Sequence, residues 1–150
     1  IKEAQRMLDK ARANGVDLLL PVDVVVADAI DENASVEIVS IDDIPTNMMG
    51  LDIGPKTVAL YSDAIAGAAS VFWNGPMGVF EMKPFETGTL GVAEAVAQNE
   101  AADTIIGGGD SVAAVNKFDL ADKMTFISTG GGASMELVEG KELPGVKALS

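Results

Sequence analysis

Apolar residues recur at Ile1, Ala4, Leu8 and Ala11 through an otherwise charged segment, a spacing that predicts an amphipathic helix closed by the Asn14-Gly15 pair. The period then changes. Short apolar runs at 18–20 and 24–26 flank Pro21, and a β-branched run covers 36–41, so this stretch predicts two or three strands joined by acidic turns, Asp31-Glu32-Asn33 among them. Beyond it, strand and helix patterns alternate. A short strand over 48–53 leads through Gly54-Pro55 into a helix carrying Val58, Ser62, Ile65 and Ala69, and a buried strand over 71–73 runs into Asn74-Gly75-Pro76. A helix fits Thr87 to Gln98. Residues 104–106 then enter Gly107-Gly108-Gly109 and a helix from Asp110, and residues 125–127 enter Gly130-Gly131-Gly132 and a helix from Ala133.

This alternation predicts an α/β fold with a mainly parallel sheet flanked by helices, a Rossmann-like three-layer architecture. Parallel strands joined by helices place every strand-to-helix loop at the carboxyl edge of the sheet, so the loops at Asn74, Gly107 and Gly130 are expected to be neighbours. The 150 residues, 48% of them hydrophobic, suffice for one core and one domain. Six of the sixteen glycines lie in the two triplets, and that concentration asks for a backbone reason.

The chain contains neither cysteine nor histidine. Disulfides, thiolate nucleophiles, serine-histidine catalysis and Cys/His zinc sites are thereby excluded within it, leaving carboxylates, hydroxyls, lysines and backbone amides as the working parts. A net charge of -13 argues against nucleic acid or an anionic membrane as a partner. No apolar run is long enough to span a bilayer and no signal peptide is evident, so a cytoplasmic location is expected.

A glycine triplet between strand and helix frees consecutive amides to converge and places an anion at the positive end of the following helix, which is a phosphate-binding geometry. A single triplet could equally be a plain turn; two on neighbouring strand ends favour anion binding. Asp110 has two readings, an N-cap or a magnesium ligand, the second because a carboxylate beside a phosphate needs a cation between them. Neither triplet forms a Walker A loop; Gly54, Gly67 and Gly75 lie too far apart for a dinucleotide fingerprint, and Gly107-Gly108-Gly109 has no further glycine three residues on. In Phe72-Trp73-Asn74-Gly75-Pro76-Met77-Gly78-Val79-Phe80-Glu81 a strand end delivers an amide, tight turns and a carboxylate, suited to a base, a ribose or a phosphate. Taken singly, Asn74-Gly75 is a turn, Trp73 and Phe80 are core residues and Glu81 is a solvated charge.

The segments Trp73 to Glu81, Thr104 to Ser111 and Ser128 to Glu136 resemble phosphoglycerate kinases in order and spacing, as do Leu20-Pro21-Val22-Asp23, Gly50-Leu51-Asp52-Ile53-Gly54-Pro55 and the closing Leu143 to Ser150. The resemblance covers nearly the whole chain. It implies most of a C-terminal nucleotide-binding domain over 1–150, belonging to an enzyme that moves a phosphoryl group reversibly between 1,3-bisphosphoglycerate and ADP, with Mg2+, giving 3-phosphoglycerate and ATP in glycolysis. Such an enzyme is usually a monomer that closes two domains around a hinge. By position, Gly50, Leu51 and Pro76 would line the adenine pocket, Glu81 would bind the ribose and Asn74 would approach the phosphates. Gly107, Gly108, Gly109 and Ser111 would offer phosphate contacts, Asp110 would hold magnesium, and the amides of Gly131 and Gly132 would face the phosphoryl group in transit.

Phosphoryl transfer requires positive charge around the moving group, and this chain supplies little. Its two arginines, Arg6 and Arg12, lie on the first predicted helix, and neither glycine loop contains a lysine. The family places its substrate-binding cations in a first domain and its phosphate-binding lysines early in the second, both upstream of Ile1. The chain starts on a helical pattern without Met or a cap. It is therefore expected to be a fragment, its sheet incomplete on the N-terminal side, its substrate-binding domain absent, and inactive alone. A nonenzymatic nucleotide- or anion-binding module and a purely structural domain are the competing readings.

Overall fold

A computed structural model describes residues 2–148. Its first helix, α1 (Lys2–Ala13), ends as the sequence predicts: Gly15 takes φ +66, Val16 N returns to Ala11 O (3.0 Å) and Gly15 N to Arg12 O (3.2 Å), satisfying the last carbonyls. None of its residues is buried.

Strands β1 (Asp23–Ala27), β2 (Glu37–Ser40) and β3 (Met49–Ile53) form one sheet in the order β2-β1-β3, with both pairings antiparallel. This differs from the mainly parallel sheet expected of the chain as a whole. The cause is connection length, because a parallel pair needs a crossover of roughly a dozen residues or more, and no α-helix separates these three strands. As the central strand, β1 is buried at all five positions. Residues 18–20 join no strand; Leu18, Leu19 and Leu20 remain exposed. Pro21 follows them without an amide to donate to a ladder.

The parallel expectation holds in the second half. After α2 (Pro55–Ala66), strand β4 (Ser70–Trp73), helix α3 (Thr87–Gln98), strand β5 (Asp103–Gly107), helix α4 (Gly109–Lys117), strand β6 (Phe126–Ser128) and helix α5 (Gly131–Val138) succeed one another, and β4-β5-β6 is a parallel sheet. A four-residue helix, α6 (Pro144–Lys147), follows. Trp73 pairs with Ile106, Ile106 with Ile127 and Gly107 with Ser128, so the three strand ends stand level. The main core joins Trp73, Ile106, Val96, Val115 and Phe80 across this sheet and its helices, and a smaller one groups Val25, Ala27, Leu51 and Phe85. Burying a side chain the size of Phe85 stabilises the fold by about 1.5–3 kcal/mol. Among the described residues no helix is long and apolar enough to cross a membrane.

Candidate functional site

The triplets are not simple connectors. Gly107 is the last residue of β5, Gly108 the N-cap of α4 and Gly109 its first residue, while Gly130 is the N-cap of α5 and Gly131 and Gly132 open that helix. The first helical bonds are Val112 N to Gly108 O (3.1 Å) and Ser134 N to Gly130 O (3.0 Å). The amides of Gly109, Asp110 and Ser111, and those of Gly131 and Gly132, precede these bonds and stand at the positive ends of two helices.

Register brings the three loops into contact. Gly108 N donates to Ser128 O (3.0 Å), and Ser111 Oγ accepts Gly75 N (2.6 Å). A Cβ on Gly108, whose φ is +92, would lie 2.7 Å from Asn74 Oδ1; one on Gly131 would lie 2.6 Å from Gly108 Cα and 3.2 Å from the same Asn74 oxygen. Asn74, Gly108 and Gly131 therefore meet at one point, their loops being neighbours as the sheet topology required. Gly109 and Gly132 differ, because an added Cβ would meet nothing within 4 Å. Among the described residues nothing demands glycine at those two positions, whereas a ligand pressed against the backbone would.

Other candidate residues fall into place unequally. Gly107 is buried, with Phe72 Cζ 2.7 Å from where its Cβ would be, so its glycine serves sheet packing. Ser111 is 1% exposed and its hydroxyl is turned to Gly75, leaving its amide as the group available at the helix start. Asp110 is the second residue of α4, not its N-cap, and is exposed; among the described residues its carboxylate has no hydrogen bond or ion pair. The capping reading of Asp110 thus fails. Its open carboxylate beside free amides suits a cation bridging to an anion.

Gly50 and Leu51 line a cavity of about 330 Å³ together with Pro21, Val24, Met77, Gly78 and Val79. Pro76 and Glu81 lie beside this stretch in the sequence but do not line the cavity. A larger hollow, about 550 Å³, runs between α2 and α3 and is lined by none of the candidate residues.

The segment between Asn74 and Glu81 is held from several sides. Trp73 Nε1 donates to Gly75 O (2.7 Å), Thr89 Oγ1 accepts Met77 N (3.0 Å) and Gly78 N (3.2 Å), and Val79 N donates to Leu51 O (2.9 Å). Lys117 Nζ donates to Phe80 O (2.6 Å) and Glu81 O (3.3 Å) and pairs with Glu86 (2.8 Å).

Two buried carboxylates that sequence reasoning assigned no role anchor the helices beneath. Asp23 accepts the amides of Lys56 (3.0 Å) and Thr57 (2.8 Å) and the Thr57 hydroxyl (2.6 Å), capping α2 from a neighbouring strand. A Cβ on Gly54 would overlap that carboxylate. Burial pushes the Asp23 carboxyl up, but the Thr57 hydroxyl, the two amides and the Lys56 charge together bring it below the ordinary carboxylate value. Asp52 accepts Gly88 N (2.6 Å) at the start of α3 and its neighbour's amide, Ile53 N (2.9 Å). Burial dominates there, and despite the Gly88 and Ile53 amides the carboxyl is pushed up to about 6.

The two shifts act in separate pH windows. Asp52 holds its proton more tightly folded than unfolded, so its contribution to stability is complete below the ordinary value of 3.8 and is lost as pH rises to about 6. Asp23 has the opposite sign and loses its contribution as pH falls below that ordinary value. For the protein carrying this domain, the unfolding free energy of the wild type minus that of Asp52→Asn should fall between pH 4 and 6, by at most about 1.4 kcal/mol per pH unit. Denaturant titrations followed through Trp73 fluorescence measure it. A difference independent of pH would refute the assignment.

The sequence profile of the phosphoglycerate kinase family matches residues 1–141. Over 150 residues the chain is 59% identical to the phosphoglycerate kinase of Clostridium botulinum, covering all of this chain and 37% of that protein. It is 60% identical over 149 residues to that of Synechococcus sp., covering 98% of this chain and 36% of the relative. Among solved structures, phosphoglycerate kinase from Coxiella burnetii superposes with a TM-score of 0.93 at 46% identity, over 99% of this chain and 38% of the other. The enzyme from Pyrococcus horikoshii OT3 gives a TM-score of 0.82 at 33% identity, over 99% and 35%. The chain thus spans little more than a third of the length of these relatives.

Proposed function

The chain belongs to the phosphoglycerate kinase family, and we propose that it is the Mg-nucleotide-binding part of such an enzyme, taking ADP or ATP at the strand ends of its parallel sheet. The observation that carries this reading is the meeting of Asn74, Gly108 and Gly131 beside two helix starts with free amides and one unpaired carboxylate. The amides of Gly109, Ser111, Gly131 and Gly132 bind phosphate oxygens. Asp110 holds Mg2+, which offsets the charge that this carboxylate adds beside the phosphates. Gly50, Leu51 and Pro76 border the base, and Glu81 binds the ribose.

The reaction is phosphoryl transfer from the acyl phosphate of 1,3-bisphosphoglycerate to ADP, and its reverse. These residues orient the nucleotide and stabilise negative charge at the helix ends. The basic groups that hold phosphoglycerate come from the remainder of the polypeptide, so the isolated chain transfers no phosphate, and the full-length protein acts as a monomer in the cytoplasm. Lys117, at the far end of the helix that the first triplet opens, already bonds two carbonyls and Glu86, which supports an outside source of cations.

Two measurements test this. Titrating a demonstrably folded chain with Mg-ADP should give a saturable change in the fluorescence of Trp73, which adjoins Asn74 and bonds Gly75 O. No response from folded protein would refute nucleotide binding. Adding the family's upstream portion as a separate chain should restore transfer from zero, and failure to do so from a demonstrated complex would refute the fragment reading.

A further inference from the structure

We propose that Lys117 is a positioning residue for ribose recognition, fixing Glu81 from the far end of the helix whose first turn faces the phosphates. The proposal rests on the reading of Glu81 as the ribose ligand. An ammonium has three N–H donors, and Lys117 places them on three acceptors: Phe80 O at 2.6 Å, Glu81 O at 3.3 Å and Glu86 Oε2 at 2.8 Å. Two of these are backbone carbonyls of the segment that presents the Glu81 side chain. With its donors occupied, Lys117 is not a spare cation for phosphate.

The position of Lys117 matters as much as its bonds. It is the last residue of α4, and Ser111 in the first turn of the same helix accepts Gly75 N at 2.6 Å. One helix, roughly 12 Å long at 1.5 Å per residue, therefore grips the segment from Gly75 to Glu81 at both ends, while Thr89 of α3 accepts Met77 N and Gly78 N in its middle. Glu81 itself is exposed, and among the described residues its side chain has no hydrogen bond or ion pair. Its carboxylate is thus directed by backbone placement, and Lys117 bonds that backbone at Phe80 and Glu81.

The experiment uses the full-length polypeptide containing this domain and compares Mg-ADP with Mg-2′,3′-dideoxy-ADP, which lacks the ribose hydroxyls. Lys117→Met should raise KM for ADP on the order of tenfold, the scale of one lost hydrogen bond to a charged group, with kcat little changed. KM for the dideoxy nucleotide should not move. Glu81→Gln should discriminate between the nucleotides in the same way, and the double variant should be no worse than Glu81→Gln alone. Lys117→Arg, which retains donors, should restore part of the loss and serves as the comparison if the Met variant does not fold. Equal effects on both nucleotides, or none from Lys117→Met while Glu81→Gln discriminates, would overturn the role of Lys117 and leave the ribose reading intact. Failure of Glu81→Gln itself to discriminate would overturn both.

Discussion

Alanine at position 131 is expected to reduce kcat of the full-length enzyme by about 10²-fold, the scale of a misplacement of roughly 1 Å at a reacting centre. The added Cβ would sit 2.6 Å from Gly108 Cα and 2.7 Å from Gly108 N. These atoms are backbone and cannot turn aside as a flexible side chain would. The two glycine loops must separate, straining the Gly108 N to Ser128 O bond that joins them, and overpacking of this kind costs about 1–3 kcal/mol of stability. Gly132→Ala provides the contrast, since its Cβ would meet nothing within 4 Å. It should leave stability unchanged or raise it by up to about 1 kcal/mol through helix propensity, yet still lower activity by crowding the phosphoryl group. Thermal unfolding and steady-state kinetics on both variants separate the two effects. Full activity in Gly132→Ala would remove the second triplet from the reaction, and a Gly131→Ala enzyme with normal kcat would show that the loop contact is not needed.

The periodic parts of this structure were legible in the sequence, and the parts built from single long-range contacts were not. Asn14-Gly15, Gly54-Pro55 and the Thr87 to Gln98 pattern marked helix ends because capping and φ preferences are local. That the loops at Asn74, Gly107 and Gly130 are neighbours followed from topology alone, since parallel strands deliver their loops to one edge; that Asn74, Gly108 and Gly131 are the residues that touch did not. The antiparallel first sheet was accessible too, because no helical pattern lies between residues 24 and 53 to carry a parallel crossover. The exposed run 18–20 shows the limit of hydrophobicity as a strand signal: the residues are apolar, but among the described residues no strand pairs with them.

Asp23, Asp52 and Lys117 carried no comparable mark. Each bonds backbone 33 to 37 residues away, and no local spacing encodes such a distance. Gly54 offered an indirect sign, since a glycine N-cap supplies no side-chain acceptor and leaves that role to another element, here β1. The sequence also left Asp110 a reading as the cap of its helix. The structure assigns the cap to Gly108, and this frees the carboxylate that the next prediction depends on.

Substituting Asp110 by asparagine should lower kcat/KM with Mg-ADP by roughly 10²–10³-fold, because a metal ligand contributes several kcal/mol of charge stabilisation and each 1.4 kcal/mol is about tenfold. The side chain forms no hydrogen bond or ion pair among the described residues, so folding should lose no more than about 1 kcal/mol, from a weaker interaction with the α4 dipole. The sign of the effect on binding should depend on the metal. With Mg2+ present, the carboxylate bridges through the ion to the phosphates and its loss weakens ADP binding. With Mg2+ chelated, the same carboxylate repels the phosphates, and the asparagine variant should bind free ADP more tightly than the wild type does. Calorimetric titrations with and without chelator measure both arms. A capping or purely structural Asp110 would change them in the same direction, so weaker binding in both conditions would remove the metal from Asp110, whereas the crossover would place it there.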